Sequence, residues 1–445
     1  MSSSFLSKIR EAFQPIISRL TTSDLFKGFA ITTVGSGLSK AIMIAATFYC
    51  THTLTQTEFG EFSFINNTLV MILTICASNF SRLCTKFATE AKTSVESVQR
   101  LFILFLFSLT ACVLAGMMIL VLPDTALEYV FGDSGMLSFL RFAALLLPLF
   151  MLHPLIEGVL RGLMRFKLIS ILQICAAIFY LIALILGIRF GGVNGAVAAL
   201  LIYYSAFSLA FFVGLVKVAP IPSFSKQLKG FKEEWRVIPK MVLPVFIASF
   251  VEAPMFWFLQ FMLTKYSTVA AVGGMTVMKQ VRNFALLIPN YFFNTYIAFA
   301  GKLNAERNYH GYFTQFDKLI KYFALIGVAI FIFFSLLCKP VLWLYHPEYV
   351  NDWKSLVISN ATLPIALILS LVKTDLILQE HQRALLFISI GWNILWISVF
   401  VFLVKLGIVP LEAFFYGELL ALLTQFSCCY YIYSCDKKRL LEHTS

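Results

Sequence analysis

Twelve apolar runs, each long enough to cross a bilayer as a helix, make up most of this 445-residue chain. In the first half they run from Gly28 to Thr51, Phe62 to Leu83, Leu101 to Leu122, Met136 to Leu160, Leu168 to Ile188 and Val193 to Val216. The second half gives Met241 to Leu263, Val269 to Phe299, Leu319 to Cys338, Leu356 to Leu378, Leu385 to Val404 and Phe414 to Tyr433. At about 1.5 Å rise per residue, a run of about 20 residues spans about 30 Å of hydrocarbon. A backbone in lipid must satisfy its own polar groups, and these runs are too long and too uniformly apolar for barrel strands. The chain is therefore expected to be an all-α polytopic membrane protein of about twelve transmembrane helices.

Composition excludes the soluble alternatives. With 59% hydrophobic and 13% charged residues, a water-soluble globule would expose very large apolar patches. The net charge of +12 raises nucleic acid as a partner, but the basic residues form no stripe with aromatics between them. They alternate with the spans instead. With the N-terminus placed in the cytoplasm, 25 Lys and Arg fall in inside segments and 5 in outside ones, Arg189, Lys265, Lys339, Lys354 and Lys405. Short loops obey a positive-inside rule, so both termini are expected to be cytoplasmic. Most of the nine cysteines lie within spans, with no CxxC and no His/Cys pair at metal-ligand spacing, and read as small packing residues. No metal or other cofactor is expected.

Residues 217–240 form a basic inside connection containing Pro220 and Pro222. It divides the chain into a six-helix lobe at 28–216 and another at 241–434, flanked by a cytoplasmic tail at 435–445 and an N-terminal segment at 1–27. That first segment mixes Lys8, Arg10 and Arg19 with Phe5, Ile9, Phe13 and Ile16, as an amphipathic helix on the inner leaflet would. An offset of 212 superposes Phe80 on Phe292 and Phe87 on Phe299, and with small indels Pro154 on Pro364 and Gly191 on Gly407. An even number of spans per half gives a parallel repeat, related by a pseudo-two-fold axis along the membrane normal. No outside loop is long enough for a soluble domain.

Charges at bilayer depth cost at least about 2.5 to 3.5 kcal/mol each, so they are where function is sought. Lys40 lies midway along the first span and Glu252 midway along the seventh, and the same offset superposes them. They are expected to flank a central cleft, as a cavity pair that engages and releases or as a structural ion pair. Lys279 and Arg282 share one face of the eighth span about 15 to 21 Å from its outer end, too deep for snorkelling. Two cations there could clamp an anion, Arg offering a fork that matches phosphate oxygens; alternatively they pair with acids such as Glu252 or Asp375. In the fourth span His153, Glu157 and Arg161 are four residues apart. The first two could store or pass a proton, unless Glu157 simply pairs with Arg161. Arg141, Lys373, Asp375 and Glu418 lie nearer span ends or lack an evident partner, and snorkelling accounts for most of them.

Four stretches resemble a known family. They are Leu54-Thr-Gln-Thr-Glu-Phe-Gly-Glu-Phe62, Gly158-Val-Leu-Arg-Gly-Leu-Met-Arg-Phe-Lys167, Gly191-Gly-Val-Asn-Gly-Ala196 and Leu344-Tyr-His-Pro-Glu-Tyr349. In this order on a 6 + 6 layout they are similar to the polysaccharide flippase (Wzx-type) branch of the multidrug/oligosaccharidyl-lipid/polysaccharide exporter superfamily. The resemblance covers nearly the whole chain. It implies two lobes around a cationic cavity that carries a polyprenyl-diphosphate-linked oligosaccharide across the bacterial inner membrane for O-antigen or exopolysaccharide assembly. Lys40, Lys279 and Arg282 would bind the diphosphate, while Glu252, Glu157 and His153 would serve ion coupling or gating. The polyprenyl tail would stay in membrane lipid through a gap between lobes. A polysaccharide polymerase and a chain-length regulator are the implied protein partners.

Two other classes compete. An ion-coupled exporter of small amphipathic cations shares the architecture but favours an acidic, aromatic cavity. A glycan polymerase or ligase would carry a large outside catalytic loop, which this sequence lacks, so no enzymatic activity is expected.

Overall fold

A computed structural model describes residues 24–90, 95–131, 137–218, 235–236, 238–286, 289, 309–379 and 381–442. The N-terminal amphipathic segment to residue 23, most of the basic connection and the end of the eighth run lie outside these. Among the described residues the structure is all helical. In chain order α1 spans Asp24–Thr53, α2 Gln56–Cys76, α3 Ser81–Glu90, α4 Val95–Val121, α5 Asp124–Phe131, α6 Leu137–Phe150, α7 Leu152–Gly162 and α8 Phe166–Val218. The second half contains α9 Leu243–Tyr266, α10 Val269–Ala285, α11 Tyr309–Leu336, α12 Cys338–Tyr345, α13 Trp353–Leu378, α14 Gln382–Lys405 and α15 Pro410–Glu442.

Eight helical stretches among the described residues are long and apolar enough to cross a membrane. The longest, Phe166–Val218, is two spans joined at Gly192, whose φ of 56° only glycine adopts readily. Its equivalent between the last two spans is Gly407, at φ 85°. Each half also places a short helix after its third span, α5 and α12. The fourth span, by contrast, is broken between α6 and α7 in the first half and continuous as α13 in the second. In the first half α1 and α7 pack on α8 and α3 on α7, while α2 packs mainly across on α10 and α9; in the second half α13 and α14 pack on α15.

The second apolar run is interrupted. At Ala77 (φ −146°, ψ −52°) the helix breaks into the 3-10 turn Ser78–Phe80 before α3. The Ser108 hydroxyl donates to the carbonyl of Cys76, so the break leaves no orphan acceptor there. The α3 helix then lies against α7, where a Cβ on Gly158 or Gly162 would overlap the carbonyl of Ser81 or Thr85. Thr85 donates to Gly158 O at 3.0 Å, the close small-residue packing that suits helices in lipid.

The two halves meet along α2, which touches both α9 and α10. Gly60 is the closest point, since a Cβ there would overlap the carbonyl of Val269. Farther along the same seam Trp257 Nε1 donates to Thr68 at 2.9 Å and Asn79 Nδ2 to Ser249 at 2.7 Å. The opposite seam, between α1 and the second half, carries Gln280 Nε2 to Thr47 at 3.0 Å and Thr51 Oγ1 to Tyr345 O at 2.7 Å.

Candidate functional site

Helix α10 carries both second-half cations. At 100° per residue Lys279 and Arg282 lie about 60° apart around the helix and so meet different neighbours. Both look toward α15, where Phe414 and Glu418 sit one turn apart. Lys279 Nζ lies 3.4 Å from the centroid of Phe256 and 5.4 Å from those of Trp396 and Phe414. The indole of Trp396 is held by donating to Phe414 O at 2.9 Å. Lys279 is therefore boxed by ring faces, which attract a cation at low dielectric. No carboxylate lies within ion-pair distance of it among the described residues.

Arg282 is held by an acid. Its Nη1 lies 2.9 Å from Glu418 Oε1 and donates to Thr362 Oγ1 at 3.2 Å, while the Thr362 hydroxyl donates to Ser359 O at 2.6 Å. The side chains are 14% and 8% exposed, and Glu418 Oε2 is buried with no hydrogen-bond partner among the described residues. Three helices, α10, α13 and α15, thus converge on one ion pair. The acid that pairs with Arg282 is Glu418, where the sequence suggested Glu252 or Asp375; snorkelling does not describe so buried a carboxylate. Asp375 accepts a 2.5 Å hydrogen bond from the Tyr312 hydroxyl.

In the first half Glu157 on α7 takes the predicted partner, Arg161, one turn later. It also accepts from Gln173 Nε2 at 3.0 Å, and Gln173 accepts from the Ser36 hydroxyl at 2.8 Å, so α1, α7 and α8 are tied together. Ser39 adds a bond to Gln173 O at 3.1 Å. His153 is elsewhere: its ring lies 4.8 Å from Phe207 and its Nδ1 3.1 Å from Phe150 O. A carbonyl only accepts, so that nitrogen carries a proton. Lys40 is exposed and makes no ion pair among the described residues. It lies two helical turns before Thr47, on the stripe of α1 that Thr47 turns toward α10. Glu252 is on α9 one turn before Phe256, but its side chain lies outside those described.

The stretches that carried the family resemblance have structural roles. Thr55 and Glu58 form a capping box that starts α2, Gly60 allows the halves to touch, and Gly158 and Gly162 seat α7 on α3. His346 caps the 3-10 turn Pro347–Asp352, and the preceding Tyr345 carbonyl receives Thr51. Sequence reasoning named Glu418 but missed its pairing with Arg282, and missed Thr362, Gln173 and the ring box altogether. Only the i, i+4 spacing of Phe414 and Glu418 on a long apolar helix pointed toward them.

Comparison with known proteins is consistent with this architecture. A family model described as polysaccharide biosynthesis protein matches residues 25–297. Among solved structures, the chain is similar to an inward-facing multidrug resistance MATE family transporter of the MOP superfamily. The TM-score is 0.74 at 15% identity, covering 91% of this chain and 96% of that one. An outward-facing form gives 0.64 at 14% identity, covering 95% and 98%. A MOP superfamily transporter from Pyrococcus furiosus, titled for the reverse polarity of its binding pocket, gives 0.64 at 16% identity over 95% and 98%. No curated protein matches the chain.

Proposed function

Because the chain belongs to the polysaccharide biosynthesis protein family, we propose that it is a flippase. It moves polyprenyl-diphosphate-linked oligosaccharide units across the bacterial inner membrane by alternating access, without catalysis, with both termini in the cytoplasm. The family match carries this reading. Three intramembrane cations support it: a diphosphate at mid-membrane needs positive partners, and Lys40, Lys279 and Arg282 are the candidates to supply them.

The unequal seams support a mechanism. On one side the halves stay joined from Gly60 at one end of α2 to Asn79 beyond its other end. On the other side the described contacts of α1 with the second half run from Thr47 to His52, in the outer part of the membrane under the proposed topology. A glycan would enter from the cytoplasm through the part of that seam below Thr47, while the polyprenyl tail remains in lipid. Lys40 lies about 10.5 Å below Thr47 on that stripe, placed to meet the diphosphate first.

Export of small cationic molecules, the competing reading for an architecture shared with multidrug resistance transporters, is less well supported. The ring box that would receive such a cation already holds the ammonium of Lys279. The test is complementation: a strain deleted for this gene should lose surface polysaccharide and accumulate lipid-linked units on the cytoplasmic face. Restored export by the wild-type chain, without a change in drug resistance, is expected. Normal polysaccharide in the deletion strain would reject the assignment. The polymerase and chain-length regulator of the same pathway are the proposed protein partners.

A further inference from the structure

The second-half site presents a difficulty for any anion carrier: its arginine is already neutralised. Arg282 holds Glu418 at 2.9 Å, and the pair is largely buried. An incoming anion cannot simply add to it. Nor is Glu418 fully engaged, because one carboxylate oxygen bonds Arg282 while the other, Oε2, is buried without a hydrogen-bond partner among the described residues. One turn away the Lys279 ammonium is faced by rings, with no carboxylate within ion-pair distance among the described residues, and one of those rings, Phe414 at 5.4 Å, lies one turn from Glu418 on α15.

We infer that the site works by exchange: the anionic group of the cargo displaces Glu418 from Arg282, and Glu418 transfers to Lys279. The inference rests on the reading of the protein as a carrier of diphosphate-linked cargo. Empty, the site holds one Arg–Glu pair and a buried ammonium faced by aromatic rings, an excess of one positive charge; loaded, it holds an Arg–phosphate pair and a Lys–Glu pair, so an anionic cargo group supplies the counter-charge that the empty site lacks. The guanidinium suits this role because its single described contact with Glu418 leaves donors that match two oxygens of a phosphate. Thr362 keeps Arg282 oriented during the exchange through its 3.2 Å bond. Glu418 is thus a positioning residue that competes with cargo. Return of its carboxylate to Arg282 would eject the anion, so the site need not bind tightly to be selective.

The test uses full-length protein in nanodiscs and farnesyl diphosphate as a soluble isoprenoid diphosphate probe. Glu418→Gln should bind the probe at least about tenfold more tightly than wild type, since the competitor has lost its charge, while lipid-linked glycan export in cells slows. Arg282→Gln should bind at least about tenfold more weakly, and adding Glu418→Gln to it should restore nothing. If Glu418→Gln does not fold, Glu418→Asp keeps the charge on a shorter arm and should tighten binding about threefold. Unchanged or weaker binding by a folded Glu418 variant would overturn the exchange. So would a wild type that binds no probe yet still exports glycan, which would leave the flippase reading intact. Failure of the wild type to restore surface polysaccharide would reject that reading itself.

Discussion

Glu157 in the first half and Glu418 in the second are both carboxylates held by an arginine inside a helical lobe. Arg161 is 46% exposed, whereas Arg282 is 14% exposed. Glu157 has a neutral second partner in Gln173, while Glu418 Oε2 has no hydrogen-bond partner among the described residues. The first arrangement is an anchored surface pair at the edge of a hydrogen-bonded wall. The second is a desolvated pair whose members depend on each other. The same residue types on equivalent lobes therefore do different physical work, and burial decides which.

The difference is broken most directly at Arg282. Removing one member of a buried pair strands the other, at a cost of about 3–5 kcal/mol, so Arg282→Ala or Glu418→Ala should sharply lower the melting temperature of detergent-purified protein. Replacing both with apolar residues of similar size should recover most of the loss. Equal instability in the single and double variants would show that the two side chains do not depend on each other.

A smaller effect belongs to the ring box. A desolvated cation–π contact is worth about 2 kcal/mol, so a double-mutant cycle of Lys279→Met with Phe256→Leu should show coupling of that order in thermal unfolding. Coupling near zero would mean that the ammonium turns away from the ring in solution. No counterpart of this box surrounds Lys40, which is exposed; Lys40→Met should leave stability unchanged and act on export alone.

Much of the architecture could be read in advance because lipid imposes it. The apolar runs lie on helices as far as the described residues extend, apart from breaks such as that at Ala77 in the second run, and the alignment that paired Gly191 with Gly407 falls within one residue of the turns at Gly192 and Gly407. The site was legible only in part. Lys279 and Arg282 stand out because charge in lipid is costly, but what each touches depends on helix rotation and on partners more than 100 residues away. Glu418 lay eight residues into α15 and looked like a snorkelling side chain; only the packing of α10 and α13 against α15 buries it. The family-like motifs misdirect in the opposite sense, being recognisable for capping and close packing. Thr55→Ala, which removes the cap of α2, should cost about 1 kcal/mol of stability and leave probe binding at Arg282 unaffected.

The smallest expected effect closes the comparison at Arg161. Its guanidinium is nearly half exposed, so water screens it and can replace Glu157 when the pair is broken. Exposed pairs of this kind contribute about 0.2–1 kcal/mol. Glu157 would moreover keep its 3.0 Å bond from Gln173, and through Gln173 its link to Ser36 on α1. Arg161→Ala should therefore shift the melting temperature only slightly, and the shift should shrink further at high salt, where Arg282→Ala should be insensitive to salt. A loss at Arg161 as large as that at Arg282, and equally indifferent to salt, would mean that the first-half pair is desolvated by lipid. The contrast between the lobes would then lie in their partners and not in their burial.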